Sequence, residues 1–359
     1  PPRPSSGSFL RGARAALLAA LMAGACGGAA DAPTAPSADD APPGDAGPSP
    51  PAPGPWFSVP PIPLDSVARI TPLGHNNNTI PTGHTYWDTC DLWSLMPSGR
   101  CVRQRLGIRA PRDAVVAAVE PRADGRVVLE GPPGLFMVFS HVTPADGLRR
   151  GDPVGEGEIV ATMHYDHGFD FGVEHFGLPA HPLLRPERAP RGYLHAQSPI
   201  AQYPEPLRSA LEARVQTRED PLGRLAFDVA GTAQGLWFRP GTPDTLSFHP
   251  DRADASLFLG PLQERRSTRI LVSGRAWPGS WAGVTAVDSS GPDWTAVTPE
   301  RGPVAVRAWN LSPDGTPDVG FPRGSWLVEM IAPDRLRIEW FDSPEPPADF
   351  TEAALEYER

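Results

Sequence analysis

The sequence predicts a mainly β protein that folds as two β domains joined by one helix. Forty-seven prolines and 36 glycines interrupt the 359 residues too often for long helices. The apolar residues fall instead in short runs, and several of these runs alternate with polar residues as half-buried strands do. The chain is long enough for two domains, each with a core of its own.

Residues 1–25 have the pattern of a secretory signal peptide. Three arginines precede a short apolar run from Ala15 to Ala23, which is too short to span a bilayer. The run ends in "LMAGAC", which resembles a bacterial lipobox. That resemblance implies cleavage before Cys26, lipidation of its thiol, and an exported protein anchored in a membrane and facing the periplasm or cell surface. An ordinary signal peptide with a chance cysteine is the alternative.

Residues 26–55 are almost all Ala, Pro, Gly, Asp and Ser, so they cannot bury apolar surface. We predict a disordered tether that holds a folded head away from the membrane. The net charge of -10, without a basic block, argues against nucleic acid as a partner.

The first β domain is predicted over residues 56–202. Its strand signals are "DAVVAAVE", "RVVLE", "GLFMVFSHV" and "GEIVATM", each bounded by glycine or proline. A helix is predicted over residues 203–218, because Leu207, Ala210, Leu211 and Val215 share one helical face.

The second β domain is predicted over residues 219–359 as a small barrel or sandwich. Its strand signals are "GRLAFDV", "GLWF", "TLSF", "TRILVSG" and "PVAVRAW". The clearest hairpin follows them: Trp326, Val328 and Met330 alternate against Leu336, Ile338 and Trp340 across the turn "IAPD".

Cys90 and Cys101 are the two cysteines of the predicted folded region. In an exported chain they are expected to form a disulfide, which would stabilise the fold by about 3 kcal/mol. Two free or metal-binding thiols are the alternative, although no further cysteine completes a tetrahedral set.

The motifs "EPRADGRV", "FSHV" and "LRRGDPVGEGEIV" occur in an order that resembles the lysostaphin-type zinc endopeptidases. These enzymes cleave peptidoglycan and share a β fold, the duplicated hybrid motif, with non-enzymatic carrier proteins. The resemblance covers roughly residues 68–180. It implies a lysostaphin-like β domain directed at peptidoglycan or another cell-wall polymer.

Carried over residue by residue, the resemblance assigns the family's zinc ligands and proton-transfer residues to this chain. His84 and Asp88 match the first pair of zinc ligands, and His141 matches the catalytic histidine of Tyr-x-His. Where the family has His-x-His, this chain has Gly168 at the catalytic position and Asp170 at the zinc-ligand position. The implied zinc site is therefore His84, Asp88 and Asp170. An ordinary catalytic zinc lowers the pKa of its bound water to about 7, and two carboxylates in this ligand set should leave that water less acidic.

His167 is the candidate to replace the missing catalytic histidine. His164 and His167, three residues apart, are alternatively a metal-binding pair, and a polar loop with exposed histidines is the simplest interpretation. Strand alternation predicts that Asp170 points away from the core while Phe169 and Phe171 point into it.

The spacing of His84 and Asp88 sets a condition on the zinc site. Four residues of straight strand span about 13 Å, which is too far for both side chains to share one ion. The segment "HTYWD" must therefore bend or bulge for these two residues to bind the same metal.

Three functions remain open at the level of sequence. The first is a tethered zinc endopeptidase, weakened by the loss of one catalytic histidine, since general acid–base help is typically worth about 10²–10⁴-fold. The second is a non-catalytic lipoprotein that binds peptidoglycan or a partner protein. The third is a metal-independent glycan-binding β protein that shares only the fold.

Overall fold

The computed structural model describes residues 55–75, 81–90, 104–242 except 123, 133 and 218, 256–273 except 264, 283–287, 291–311, 317–318 and 323–359. The predicted signal peptide, Cys26, almost all of the tether, Cys101 and the strand signal "TLSF" lie outside these residues. No helix in the described segments is long and apolar enough to cross a membrane.

The first part of the chain forms an antiparallel sheet. Its strands are β1 (Arg69–Ile70), β2 (Thr85–Asp88), β3 (Gly107–Arg109), β4 (Ala114–Glu120), β5 (Gly125–Glu130), β6 (Leu135–Pro144), β7 (Pro153–Val154), β8 (Ile159–Met163), β9 (Gly168–His175) and β10 (Ala196–Gln197). The main strand order is β1-β2-β9-β6-β5-β4-β7, with β10 paired to β9, β8 to β6 and β3 to β8. All four strand signals predicted here form strands, so this half of the predicted fold is confirmed.

Strand β9 lies between β2 and β6, and its alternation separates the two faces of the sheet. Phe169, Phe171 and Val173 belong to the apolar core, where Phe171 stacks on Phe139 with ring centroids 4.8 Å apart. Burying such side chains contributes roughly 1.5–3 kcal/mol each, which fixes the register of β9. Asp170 is consequently turned to the opposite face, as predicted.

Two short helices follow the sheet: α1 (Arg191–Leu194) and α2 (Leu207–Glu212). The helix predicted over residues 203–218 is therefore only six residues long. Prolines at 204 and 206 disfavour helix before Leu207. At the other end the chain pairs with β1, since the amide of Ile70 donates to the carbonyl of Arg214 at 2.9 Å and the amide of Gln216 donates to that of Ile70 at 3.0 Å.

The second part of the chain is also antiparallel β structure. Its strands are β11 (Gly235–Phe238), β12 (Ser256–Leu262), β13 (Arg265–Ser273), β14 (Gly283–Val287), β15 (Val304–Leu311), β16 (Pro317–Asp318), β17 (Gly324–Ala332), β18 (Arg335–Phe341) and β19 (Leu355–Glu358). The order is β14-β13-β12-β11-β19-β18-β17-β15-β16, and β14 also pairs with β15, so eight of these strands form a closed ring.

The structure confirms a second β domain and its clearest hairpin. Trp326 pairs with Trp340, Val328 with Ile338 and Met330 with Leu336. The segment "GRLAFDV" is not a strand, and this prediction was wrong. Leu225 and Phe227 alternate because both pack into an apolar cluster with residues of the second sheet, such as Phe238, and not because they belong to a ladder.

Arg359 joins the two strands that meet at the seam of this ring. Strand β19 pairs with β11 only at Glu358 and Phe238, and Arg359 follows directly. Its guanidinium donates to the carbonyls of Leu236, Val229 and Ala233 at 3.2, 3.1 and 3.3 Å, and to that of Gln234. It also lies 3.8 Å from the ring centroid of Trp237. Burial lowers the pKa of Arg359 to about 10, and the nearby charge of Asp228 opposes this decrease.

We predict that Arg359→Ala destabilises the second domain by about 3 kcal/mol, because it leaves buried carbonyls without donors. Urea unfolding monitored by tryptophan fluorescence measures the change. The matched control is Arg335→Ala, which removes a half-exposed ion pair with Glu356 and should cost less than about 1 kcal/mol. Equal losses in the two variants would contradict a structural role for the buried guanidinium.

Candidate functional site

A polar cluster lies on the face of the first sheet that points away from the core. It is built on β9, where Asp170 pairs with Tyr86 of β2 on one side and with Ser140 of β6 on the other. Directly opposed residues of neighbouring strands point to the same side, so the ends of β2 and β6 supply the neighbours of Asp170. Asp170 is 7% exposed.

Two imidazoles face the same carboxylate oxygen. The Nε2 atoms of His84 and His141 each lie 3.4 Å from Oδ2 of Asp170. This distance is longer than an ordinary hydrogen bond, so the contacts are mainly electrostatic. The Nε2 of His84 is buried and makes no hydrogen bond. We call His84, Asp170 and His141 the His–Asp–His cluster.

His141 adopts an unusual backbone conformation with φ of 59°. Arg126 pairs with Ser140 and Gly125 with Val142, so His141 is the extra residue of a β-bulge in β6. This bulge position commonly holds glycine, because a side chain in the left-handed region is strained. Such strain is tolerated where surrounding contacts hold the residue, and it often marks functional positions.

Asp124 and Tyr165 extend the cluster beyond His141. The Nδ1 of His141 lies 2.9 Å from Oδ1 of Asp124, and the hydroxyl of Tyr165 donates to Oδ2 of Asp124 at 3.1 Å. Sequence reasoning missed both residues. The register of the β5–β6 hairpin places Asp124 beside the bulge, so assigning this register from the sequence would have identified Asp124 as a neighbour of His141. No sequence pattern indicates Tyr165.

The two histidines of the cluster have pKa values shifted in opposite directions. Burial lowers the pKa of His84, and the charge of Asp170 only partly opposes this. Burial also disfavours the charged form of His141, but Asp170 and the hydrogen bond with Asp124 outweigh it and raise its pKa. At neutral pH the neutral form is therefore favoured at His84 more than at His141, as in sites where two groups divide proton donor and acceptor roles.

Asp88 is held by an arginine that sequence reasoning also missed. Arg69 of β1 lies directly opposite it, and Nε and Nη2 of Arg69 donate to Oδ2 of Asp88 at 3.0 and 2.5 Å. The other oxygen, Oδ1, lies 2.7 Å from where a Cβ at Gly168 would stand. The Asp88 carboxylate thus occupies space that any side chain at position 168 would need.

Strand β2 is regular between the two predicted ligands. Thr85 to Asp88 pair with β9 without a shift of register, and Tyr86 lies between His84 and Asp88 on the same face. The bend that a shared ion requires is not seen in this strand. Nor do the described segments contain a group of three or more His, Cys, Asp or Glu side chains placed to hold a metal ion. As placed here, with Asp88 held by Arg69, the three side chains do not form a metal-binding group, and a zinc site at His84, Asp88 and Asp170 remains a prediction.

The other predicted site residues lie at the edge of this face or outside the description. His167 is part-exposed, and its Nδ1 lies 3.3 Å from Oδ1 of Asp166. Burial raises the pKa of Asp88, and Arg69 and His167 only partly oppose this increase. Cys90 is disulfide-bonded, while its predicted partner Cys101 lies outside the described residues. His164 contacts Tyr165, with ring centroids 4.7 Å apart.

Comparisons with known proteins give only distant similarities. No protein-family model and no curated protein matches the chain. Among solved structures, the chain is similar to Csd3 of Helicobacter pylori in two crystal forms, at 17% identity in both. The orthorhombic form has a TM-score of 0.26 over 36% of this chain and 34% of that chain. The hexagonal form has a TM-score of 0.25 over 34% and 30%.

A third similar structure is the SpoIIQ–SpoIIIAH pore-forming complex, at 15% identity and a TM-score of 0.25 over 34% of this chain and 87% of that chain. This chain spans about a third of the length of the Csd3 chains. Similarities this weak say nothing about function, so the resemblance to lysostaphin-type peptidases remains a prediction.

We predict that the two imidazoles titrate on opposite sides of the ordinary histidine pKa of 6.5. NMR titration of the Cε1 protons measures both midpoints. Asp170→Asn should lower the pKa of both histidines, because it removes a negative charge that both feel. Asp124→Asn, the matched control, should lower only that of His141. Coincident midpoints in the wild type would contradict this description of the cluster.

Proposed function

We propose that this chain is an exported, membrane-anchored lipoprotein whose first β domain binds peptidoglycan without hydrolysing it. The cell-wall target follows from the motif resemblance, and the anchor from the lipobox-like segment at Cys26. The resemblance is supported by the secondary structure, because "EPRADGRV", "FSHV" and "LRRGDPVGEGEIV" contribute to the successive strands β4 to β8.

The engagement of Asp88 is the observation that carries the non-catalytic assignment. A zinc hydrolase of this type needs the carboxylate free for the metal and a histidine at position 168. Here Arg69 holds the carboxylate and the same side chain fills the space next to Gly168. Either loss alone would remove most of the hydrolytic activity, because the ligand and the proton-transfer group serve one activated water.

The His–Asp–His cluster suits recognition of a polar peptide. It presents a neutral imidazole, a carboxylate and an imidazole with a raised pKa on one face of a rigid sheet, and these groups can both accept and donate hydrogen bonds. A site built on strands holds such groups more firmly than a loop does. Binding then requires no metal and no bond cleavage.

We expect the purified full chain to sediment with purified peptidoglycan sacculi, to release no soluble fragments from them, and to contain much less than one zinc per chain. Sedimentation, chromatography of the supernatant and metal analysis measure the three quantities. Chelator-sensitive release of fragments would contradict the proposal. Absence of binding to sacculi would favour a metal-independent glycan-binding protein with another target.

A zinc-dependent peptidoglycan endopeptidase is the second candidate, and one distance favours it. The separation of 3.4 Å between Nε2 of His84 and Oδ2 of Asp170 is close to the spacing of two ligands around a tetrahedral zinc with bonds of about 2.0–2.1 Å. In this reading Asp88 is released from Arg69 to complete the ligand set, and His141 with His167 handles protons.

For this second candidate, Asp88→Ala should abolish zinc uptake and leave the β core folded. Equilibrium dialysis against zinc, with circular dichroism to monitor folding, measures both. Asp166→Ala is the control, because it removes a half-exposed carboxylate beside His167 and should leave uptake unchanged. Equal zinc occupancy in the wild type and Asp88→Ala would exclude Asp88 as a ligand.

A further inference from the structure

Arg126 lies on the same face as the His–Asp–His cluster. It pairs with Ser140 of β6, which pairs with Asp170 of β9, so the three side chains share one side of the sheet. Its neighbours in β5, Val127 and Leu129, are fully buried on the core side. Alternation along β5 therefore directs Arg126 towards the cluster.

The guanidinium of Arg126 has no counter-ion in the described part of the chain. Its Nε is buried and makes no hydrogen bond. The charge of Arg126 lowers the pKa of His84 and that of Glu174, but Arg126 forms no ion pair with the Glu174 carboxylate. Burial raises the pKa of Glu174, and the charge of Arg126 only partly opposes this increase.

The remaining carboxylates of the site are already engaged. Asp170 faces two imidazoles, Asp124 bonds His141 and Tyr165, and Asp88 is held by Arg69. A partly buried cation without a partner is unfavourable, whereas a planar carboxylate can accept two parallel hydrogen bonds from a guanidinium. Arg126 is thus the one group of the cluster's face whose charge a ligand would satisfy, among the residues that the structure describes.

We propose that Arg126 anchors a free carboxylate of a peptide ligand beside the His–Asp–His cluster. This inference rests on the proposed function and specifies its ligand: a peptide with an unblocked carboxylate, such as a wall peptide that is not cross-linked at that group. An amide at the same position would be bound weakly, because it carries no charge to compensate the guanidinium.

The test compares the full-length wild type with Arg126→Gln, Arg126→Lys and Arg150→Gln. Arg150 is exposed in the turn before β7, so its replacement changes the net charge equally away from the cluster. Two pairs of probes are used. The soluble pair is N-acetyl-D-alanyl-D-alanine as the free acid and as the C-terminal amide, and NMR shift titration measures its binding. The second pair is purified sacculi and sacculi whose carboxylates have been amidated.

We expect the wild type to bind the acid at least tenfold more tightly than the amide, and Arg126→Gln to lose this preference. Arg126→Lys should keep part of it, and Arg150→Gln should equal the wild type. Thermal melting checks that each variant is folded. Equal affinity of the wild type and Arg126→Gln for the acid, or of the wild type for acid and amide, would overturn the inference.

The two pairs of probes separate this inference from the proposed function. Binding of the soluble acid through Arg126 without binding to sacculi supports the carboxylate anchor and contradicts the wall target. Binding of the wild type and Arg126→Gln to sacculi with equal affinity, whether or not the carboxylates are amidated, supports the wall target and contradicts the anchor.

Discussion

The position of Asp170 in the middle of the first sheet determines the rest of the site. The aromatic residues on either side of it are fixed in the core, so the carboxylate must project from the opposite face. There it lies between β2 and β6, with one imidazole from each strand 3.4 Å from the same oxygen. A carboxylate held this way acts on both rings at once, and removing it would leave two part-buried imidazoles beside each other.

The asymmetry of the two imidazoles arises from the β-bulge. His84 has a carboxylate at one ring nitrogen, whereas His141 lies between two carboxylates because the bulge turns its ring between Asp170 and Asp124. Burial alone would lower both pKa values; the second carboxylate helps to raise that of His141, while the positive charge of Arg126 lowers that of His84 further. The strained backbone at His141 is thus linked to the charge distribution of the cluster, and not only to the twist of the hairpin.

Local patterns in the sequence predicted most of the fold but only part of the site. The alternation of apolar and polar residues predicted the face of the sheet to which Asp170 points. It also predicted which residues pair across the hairpin around Trp326, because both features depend on residues close in sequence. The alternation of Leu225 and Phe227 misled, since packing between the two β structures imposes the same period as a strand. The helix was predicted to be too long, because helix propensity takes no account of the hydrogen bonds between residues 214–216 and β1.

The missing parts of the site depend on contacts between distant residues. Arg69 contacts Asp88 across a strand pair that no local pattern in the sequence indicates. Because of this contact, the Asp88 carboxylate is not free to bind a metal. The motif resemblance grouped His84, Asp170 and His141, and the structure places them close together, whereas the roles that the resemblance assigned to them stay predictions. It gave no information about Arg126, because an arginine on a strand is ordinary until its burial and the charges around it are known.

The closed ring of the second part of the chain has a consequence for how it folds. The seam joins β11 to β19, whose residues are about 120 positions apart, and it is secured by Arg359. Contacts of such high sequence separation form late and slowly. Until they form, β11 and β19 each have an unpaired edge that can pair with another chain, so the second β structure is most prone to aggregation before this seam has closed.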